Sequence, residues 1–517
     1  MKFSASRTGN SGKYVFGTRC LGLFLLVSIA LGAWIYAFPK GAEPDGAFHL
    51  ASTWCGSGFK DGQCEPATNY EGLELNGVVN VPGPIARDYG NSDTSSLNNK
   101  MIATHRYNSS SLYPKGFYWI TSRFVQSDVE QTVLILRWIN AALFALCVLS
   151  AHYLLPGNMK KGFGLTVLVL LMPLGIFTVV SNNPSSWTTT GIATYWAFLF
   201  AFLTEVDSRR TKLAGVFALF STLIALSSRG DSGGYLVLSS FAVVAIVYAR
   251  KGVQLRALIK RLWLPVGIIL LSVGLFSTAS QNKALVTGFV ANKGVPGRDP
   301  AKVVGIGFLD LIYNLTKLPG VFAGFFGLEG TNGFLGGTMA FTMPEIVSLG
   351  MMFLFATLIT NSSFERSRLE KATFLIFSFA VAFLPVIVMN RTGELFPGLF
   401  QSRYVLPIAI PLVGLFMAGS QIESKMSTSR MTKNMVFVIL ISSYFVSLHT
   451  SMRKFVLPAN SIGLNLNQSR MWWRQGVPSP MVILFLGTLS YVTLVYVFVY
   501  GNRKLPALFK VVARKNR

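Results

Sequence analysis

Two carboxylates and an imidazole stand within seven residues at Glu43-Pro44-Asp45-Gly46-Ala47-Phe48-His49. A carboxylate there can take a proton from a hydroxyl while the imidazole orients it, which is general-base equipment. The plainer reading is a polar loop start in which Asp45 caps a helix beginning at Gly46. Arg229 and Asp231 share the tight turn Ser228-Arg229-Gly230-Asp231-Ser232, with the acid as local partner of the base. Asn390-Arg391-Thr392-Gly393-Glu394 is followed by Gln401-Ser402-Arg403-Tyr404-Val405-Leu406-Pro407. Guanidinium groups hold phosphate through paired, charge-assisted hydrogen bonds; the alternative is arginines that snorkel to lipid phosphates. The uncharged turn Ser181-Asn182-Asn183-Pro184-Ser185-Ser186-Trp187 offers Ser185 and Ser186 as caps for the helix that follows. Arg137, about one turn inside an apolar run, reads as a structural side chain that snorkels outward.

The scaffold that must position these groups is set by composition. Of 517 residues, 51% are hydrophobic and 13% charged, with 41 Phe and a mean hydropathy of +0.49. Soluble domains carry about 25% charge, so a water-soluble globular chain is excluded. The apolar runs are roughly 17 to 24 residues long, and about 20 residues of helix cross a hydrocarbon core. They predict an all-α polytopic membrane protein with about twelve spans: 20–38, 132–155, 163–181, 187–204, 213–228, 234–249, 262–280, 345–360, 371–389, 404–420, 434–450 and 481–500. The net charge of +25 suggests nucleic acid at first sight. Seven short segments at alternate ends of the spans, however, hold 26 of the 46 basic residues and 5 of the 21 acidic ones. That is an orientation signal placing both termini, 1–18 and 501–517, in the cytoplasm, and it demands no nucleic-acid partner.

On the opposite side this topology leaves three long loops, 39–131, 281–344 and 451–480. The first reads as an ordered cap, with ten acids, seven bases and no run able to span. Cys55 and Cys64 lie in it, and they pair if the compartment is oxidising; the alternative is two free thiols. Cys20 and Cys147, inside spans, read as packing residues. In the second loop, 303–327 is apolar but interrupted by Asp310, Asn314, Lys317 and Pro319. It is expected to lie along the interface or to dip in and return, and the Gly-rich 320–337 reads as a lid or a packing loop.

EPDGAFHLASTWC after the first span, SNNPSS, SSRGDS and QSRYVLP, in that order, together resemble the membrane proteins of domain of unknown function 2142, especially actinobacterial members. In that family the first loop usually reads Pro-Asp-Glu with a His soon after, and the late motif is close to Gln-Gly-Arg-Tyr-Leu-Leu-Pro. Pro44, Asp45 and His49 match, whereas Gly46 and Ser402 stand where Glu and Gly are usual. The family in turn is similar to membrane glycosyltransferases of the C type, which use polyprenyl-phosphate sugars. The resemblance implies a bacterial plasma-membrane enzyme that moves a sugar from a lipid-linked donor to an envelope glycan acceptor outside the cell. It implies Asp45 as general base, with Glu43 as a stand-in for the missing Glu and His49 orienting the base or touching the donor phosphate. Arg229, Arg403 and Arg391 become phosphate ligands, supported by Asp231, Glu394 and Tyr404, and a divalent cation is an open option. The rivals are a transporter or flippase of lipid-linked saccharides, which predicts charges near mid-membrane, and a polysaccharide polymerase or ligase, which more often carries its large outer loop late. The chain carries no Walker motif and no GxGxxG after a strand, which argues against a sugar-nucleotide donor.

Overall fold

The computed structural model describes residues 11–69, 72–86, 100–250, 255–280, 307–328, 343–362, 366–392, 401–418 and 429–500. The 501–517 tail, the Gly-rich stretch from residue 329 on, and Glu394 lie outside them, and so does the side chain of Arg391. In chain order the helices are α1 (Ser11–Tyr36), α2 (Gly46–Trp54), α3 (Lys115–Thr121), α4 (Val129–Leu154), α5 (Gly157–Leu170), α6 (Leu174–Val180), α7 (Ser185–Thr204), α8 (Ser208–Leu226), α9 (Ser232–Ala249), α10 (Leu255–Arg261), α11 (Trp263–Thr278), α12 (Phe308–Ala323), α13 (Glu345–Ser362), α14 (Arg368–Thr392), α15 (Leu406–Ala418), α16 (Arg430–Val456) and α17 (Pro480–Tyr500).

Each of the twelve apolar runs is helical, yet length and apolarity suffice for a membrane crossing in fewer. Among the described residues six helices qualify, or seven if one bent pair counts as a single span. That pair is α5 and α6, bent by 88° where one straight helix was expected. The break falls at Leu171-Met172-Pro173, where the proline ring has no N–H to donate and crowds the preceding turn. α7 falls short for a different reason: it is buried on nearly every face and carries Thr188, Thr189, Thr190 and Thr194. A helix enclosed by other helices can hold hydroxyls where partners are at hand, as they are for Thr188 and Thr194, whereas the hydroxyls of Thr189 and Thr190 are buried without a hydrogen-bond partner. Thr188 meets Ser228 at 2.8 Å and Ser232 at 3.0 Å, and Thr194 meets Ser221 at 3.1 Å. Gly191 lets α7 approach α8 so closely that an added Cβ would lie 2.6 Å from the Ser221 carbonyl oxygen.

The all-α expectation is also corrected in the cap. Strands β1 (Glu65–Thr68), β2 (Glu74–Pro82) and β3 (Met101–Thr104) form an antiparallel sheet in the order β1-β2-β3. Val79 and Val81 point inward and pack with Leu50 and Trp54 of α2, while Leu75 on the same strand is exposed. Cys55 and Cys64 are disulfide-bonded, closing the loop between α2 and β1. Within 303–327 the described part, 307–327, is α12 followed by the single turn Gly324–Phe326, with exposed Phe308, Leu309 and Ile312 and buried Asn314 and Val321.

The two ends of the bundle differ in character. At one end basic side chains cap helix C-termini, the favourable pole for a cation. Arg210 donates to the Tyr153 and Leu154 carbonyls, and Arg261 to those of Phe202 and Glu205. The other end gathers the start of α2 and the turns before α7, α9 and α15.

Candidate active site

Asp45 lies at the entrance to α2 with φ 56° and ψ 31°. This left-handed conformation is one that Asp tolerates better than most residues. Its side chain makes no cap hydrogen bond, contrary to the capping reading. It reaches instead across the bundle, where Arg403 donates from Nη2 to Asp45 Oδ2 at 3.1 Å over a sequence separation of 358. Arg403 also donates to the Tyr404 hydroxyl at 3.1 Å. Its Nε is buried and has no hydrogen-bond partner, so one face of the guanidinium is uncommitted. The Asp45 side chain is 54% exposed, whereas that of Arg403 is 7% exposed. The carboxylate therefore faces open space and the guanidinium is buried behind it.

Gly46 has a local cause. A Cβ there would sit 2.8 Å from the Gly41 Cα and 3.0 Å from its carbonyl oxygen. On this backbone a Glu at position 46 has no room unless Gly41 shifts, so a second adjacent carboxylate does not fit.

Glu43 takes no part in that cluster. It is buried, and its Oε1 accepts from Arg137 Nε at 2.9 Å and Nη2 at 2.5 Å. The same guanidinium donates to the carbonyls of Phe38 at 2.8 Å, Pro39 at 2.9 Å and Ile35 at 3.2 Å, capping the C-terminal end of α1. Glu43 is thus closed off in a buried ion pair and Arg137 does not snorkel. Among the described residues no group of three or more His, Cys, Asp or Glu side chains gathers to hold a metal ion.

His49 is 1% exposed, and its Nδ1 shares a 2.8 Å hydrogen bond with the Tyr118 hydroxyl. Burial pushes its pKa from 6.5 down to about 3; Arg403 and Arg229 act in the same direction, against the pull of Asp45. His49 is therefore neutral at physiological pH and cannot bind a phosphate as a cation. For Asp45, burial alone would raise the pKa, but Arg403 and then His49 outweigh it and the carboxyl is held below its ordinary value. Both shifts make the unfolded chain the better proton binder, so stability should fall as pH drops, from about 6.5 downward for His49 and below the ordinary Asp range for Asp45. Thermal unfolding of the detergent-solubilised protein at pH 7 and pH 5 should show a lower midpoint at pH 5, and His49→Asn should flatten that slope. An unchanged slope would remove His49 as its source.

Arg229 is buried and forms a paired contact with Asp231, Nε to Oδ1 at 2.9 Å and Nη2 to Oδ2 at 2.6 Å. Its Nη1 donates to Ser185 Oγ at 3.2 Å. Its two-pronged face is thus spent on Asp231, whose carboxylate also balances its charge. The Tyr404 ring centroid lies 5.1 Å from the guanidinium carbons of both Arg229 and Arg403. Tyr235 donates to the Tyr404 carbonyl at 2.7 Å and to Asp231 at 3.2 Å, tying the two turns together.

The Ser181–Trp187 turn does more than cap. Asn183, not a serine, accepts the Ser185 N–H at 2.8 Å, which frees Ser185 for Arg229. Asn183 also donates to the Pro44 carbonyl at 3.1 Å, fixing the residue before Asp45. Reading the sequence did not single out Tyr113 or Tyr118. Tyr113 packs against His49 at 5.3 Å and near Arg229 at 5.8 Å. The dense aromatics of Tyr113-Pro114-Lys115-Gly116-Phe117-Tyr118-Trp119 in an otherwise polar loop are the signal that could have found them.

An apolar cavity of about 850 Å³ is lined by Leu170, Phe322, Phe326, Met352, Phe374 and Phe416, with Arg366 and Lys371 also on its wall. The single turn Gly324–Phe326 that forms part of it touches the turn carrying Arg403.

A family model described as predicted membrane protein (DUF2142) matches residues 28–413. No curated protein matches the chain. Among solved structures, ArnT from Cupriavidus metallidurans bound to undecaprenyl phosphate is similar at 14% identity, covering 92% of this chain and 77% of that one with a TM-score of 0.40.

Proposed function

The chain belongs to the DUF2142 family of predicted membrane proteins, and from that premise we propose that it transfers a sugar from a polyprenyl-phosphate donor to an envelope glycan or glycolipid acceptor at the extracytoplasmic face of a bacterial plasma membrane. One observation carries this reading: Asp45, in the first loop, and Arg403, beside the late helix α15, meet at 3.1 Å in a half-open cluster. A base and a phosphate-binding cation are thereby side by side at one end of the bundle.

In this mechanism the acceptor hydroxyl attacks the anomeric carbon and gives its proton to Asp45. The bond from that carbon to the carrier phosphate oxygen breaks, and its electron pair leaves on the phosphate. Arg403, drawn off Asp45, binds the phosphate, so negative charge grows beside a cation held at the site. Donor binding also tunes the base: phosphate that draws Arg403 away from Asp45 removes the main cation lowering its pKa, and the carboxylate becomes more basic when needed. The apolar cavity suits the lipid portion of such a donor. A transporter reading would lean on the broken α5–α6 pair, but the side chains of Leu171, Met172 and Leu174 at the break are apolar and buried, so the break brings no ionisable group to mid-bundle.

Arg403→Ala should lower transfer by roughly 10²-fold, in the range of removing one charge-stabilising donor. The check is analysis of envelope glycans in a deletion strain complemented with wild-type or variant protein at matched levels. Glycans unchanged between the deletion strain and its parent would overturn the transferase reading.

A further inference from the structure

We infer that α3, together with the turn Ser122–Phe124, is an interfacial anchor that rests in the headgroup region of the leaflet on the site's side and sets the depth of His49 and Asp45 relative to lipid phosphates. This goes beyond the proposed reaction and does not depend on it.

Burial alternates in pairs along the segment: Phe117 and Tyr118 are buried, Trp119 and Ile120 exposed, Thr121 and Ser122 buried, Arg123 and Phe124 exposed. Spacing of one and four residues puts Trp119, Ile120, Arg123 and Phe124 on one helical face. Three bulky apolar side chains facing outward with a cation among them fit a membrane interface, where aromatic rings and arginines settle at headgroup level. The Arg123 guanidinium lies 4.6 Å from the Trp119 ring centroid, leaving its charge free for a lipid phosphate.

The position of α3 argues for lipid as the occupant. The Phe117 N–H donates to the Ser227 carbonyl, just past the end of α8, at 2.9 Å. Gly116 is packed there so tightly that a Cβ would meet Ser227 Cβ at 2.7 Å. One helical turn before Ser227, about 5.4 Å lower, Leu223 is exposed, and Phe220, Leu219 and Val216 continue that outward apolar face along α8. The exposed side of α3 therefore sits at the edge of a lipid-facing band. Its inward side holds the site: Tyr118 meets His49 at 2.8 Å and Thr121 meets Thr53 of α2 at 3.4 Å.

The test uses the full chain with Cys20→Ser, the buried Cys147 kept, in nanodiscs of phosphatidylglycerol and phosphatidylethanolamine. A nitroxide is attached at Phe124→Cys, at Ile120→Cys as a second reading of the same face, and at Asn76→Cys on the exposed start of β2 as an aqueous control. Relaxation by oxygen should exceed relaxation by a water-soluble nickel complex at 124 and 120, with the reverse at 76. Equal nickel access at 124, 120 and 76 would overturn the anchor, as would exclusion of both reagents at 124 and 120, which would mean protein covers this face. Loss of glycan transfer bears on the reaction and not on this measurement, so the two ideas fail separately.

Discussion

Asp45→Asn protein is expected to fold, reach the membrane and fail to transfer, with turnover lower by roughly 10²- to 10⁴-fold, the usual contribution of a positioned base. The substitution suits the site. Asn, like Asp, tolerates the left-handed backbone recorded at residue 45, and its amide oxygen can still accept from Arg403. The side chain is half-exposed and caps nothing, so the stability that rests on it is its pairing with Arg403, part of which the amide keeps. What disappears is the ability to accept a proton and the charge that faces Arg403. In a reconstituted assay the variant should retain donor binding. Near-wild-type turnover with normally folded Asp45→Asn protein would remove Asp45 as the base and return it to an ion-pairing role.

Arg137→Ala should be the most damaging change to stability, by about 3–5 kcal/mol, the range for stripping one partner from a buried ion pair. Both side chains of the pair are almost wholly out of solvent, at 0% and 1% exposed. Removing the guanidinium strands the Glu43 carboxylate and uncaps three carbonyls at the C-terminal end of α1. Glu43→Ala should cost a comparable amount. Arg137→Met combined with Glu43→Leu should recover much of the loss, because no charge is then left without a partner. Thermal unfolding in detergent, followed by size-exclusion chromatography, measures all three. A double variant no better than either single one would show that the carbonyl caps, rather than the charge pair, carry the effect.

What could be read from the sequence divides along a physical line. Apolar runs report hydrocarbon contact directly, so helices were found wherever a run was long. Whether each crosses is less visible, because an enclosed helix such as α7 trades hydropathy for hydroxyls and a proline such as Pro173 folds a run in two. The expected topology put Asp45, Arg229 and Arg403 on one side, and their turns do meet at one end of the bundle; which of them touch depends on helix packing, which no local pattern encodes. The same blindness explains Arg137, whose partner arrives from a different segment. The sheet was missed because β2 shows alternation only over its last residues, at Val79 and Val81, while its first half is exposed. Arg391 and Glu394 lie beyond what the described side chains cover.

Two carboxylates separated by a single proline have opposite fates, and this has a mechanical consequence. Glu43 is bolted to α4 through Arg137, the Pro44 carbonyl is held by Asn183, and residue 46 is wedged against Gly41. Asp45 is therefore an anvil: it has little freedom to follow an approaching reactant. Whatever travels during a catalytic cycle must do so on the opposing jaw, where Arg403 hangs from one short turn.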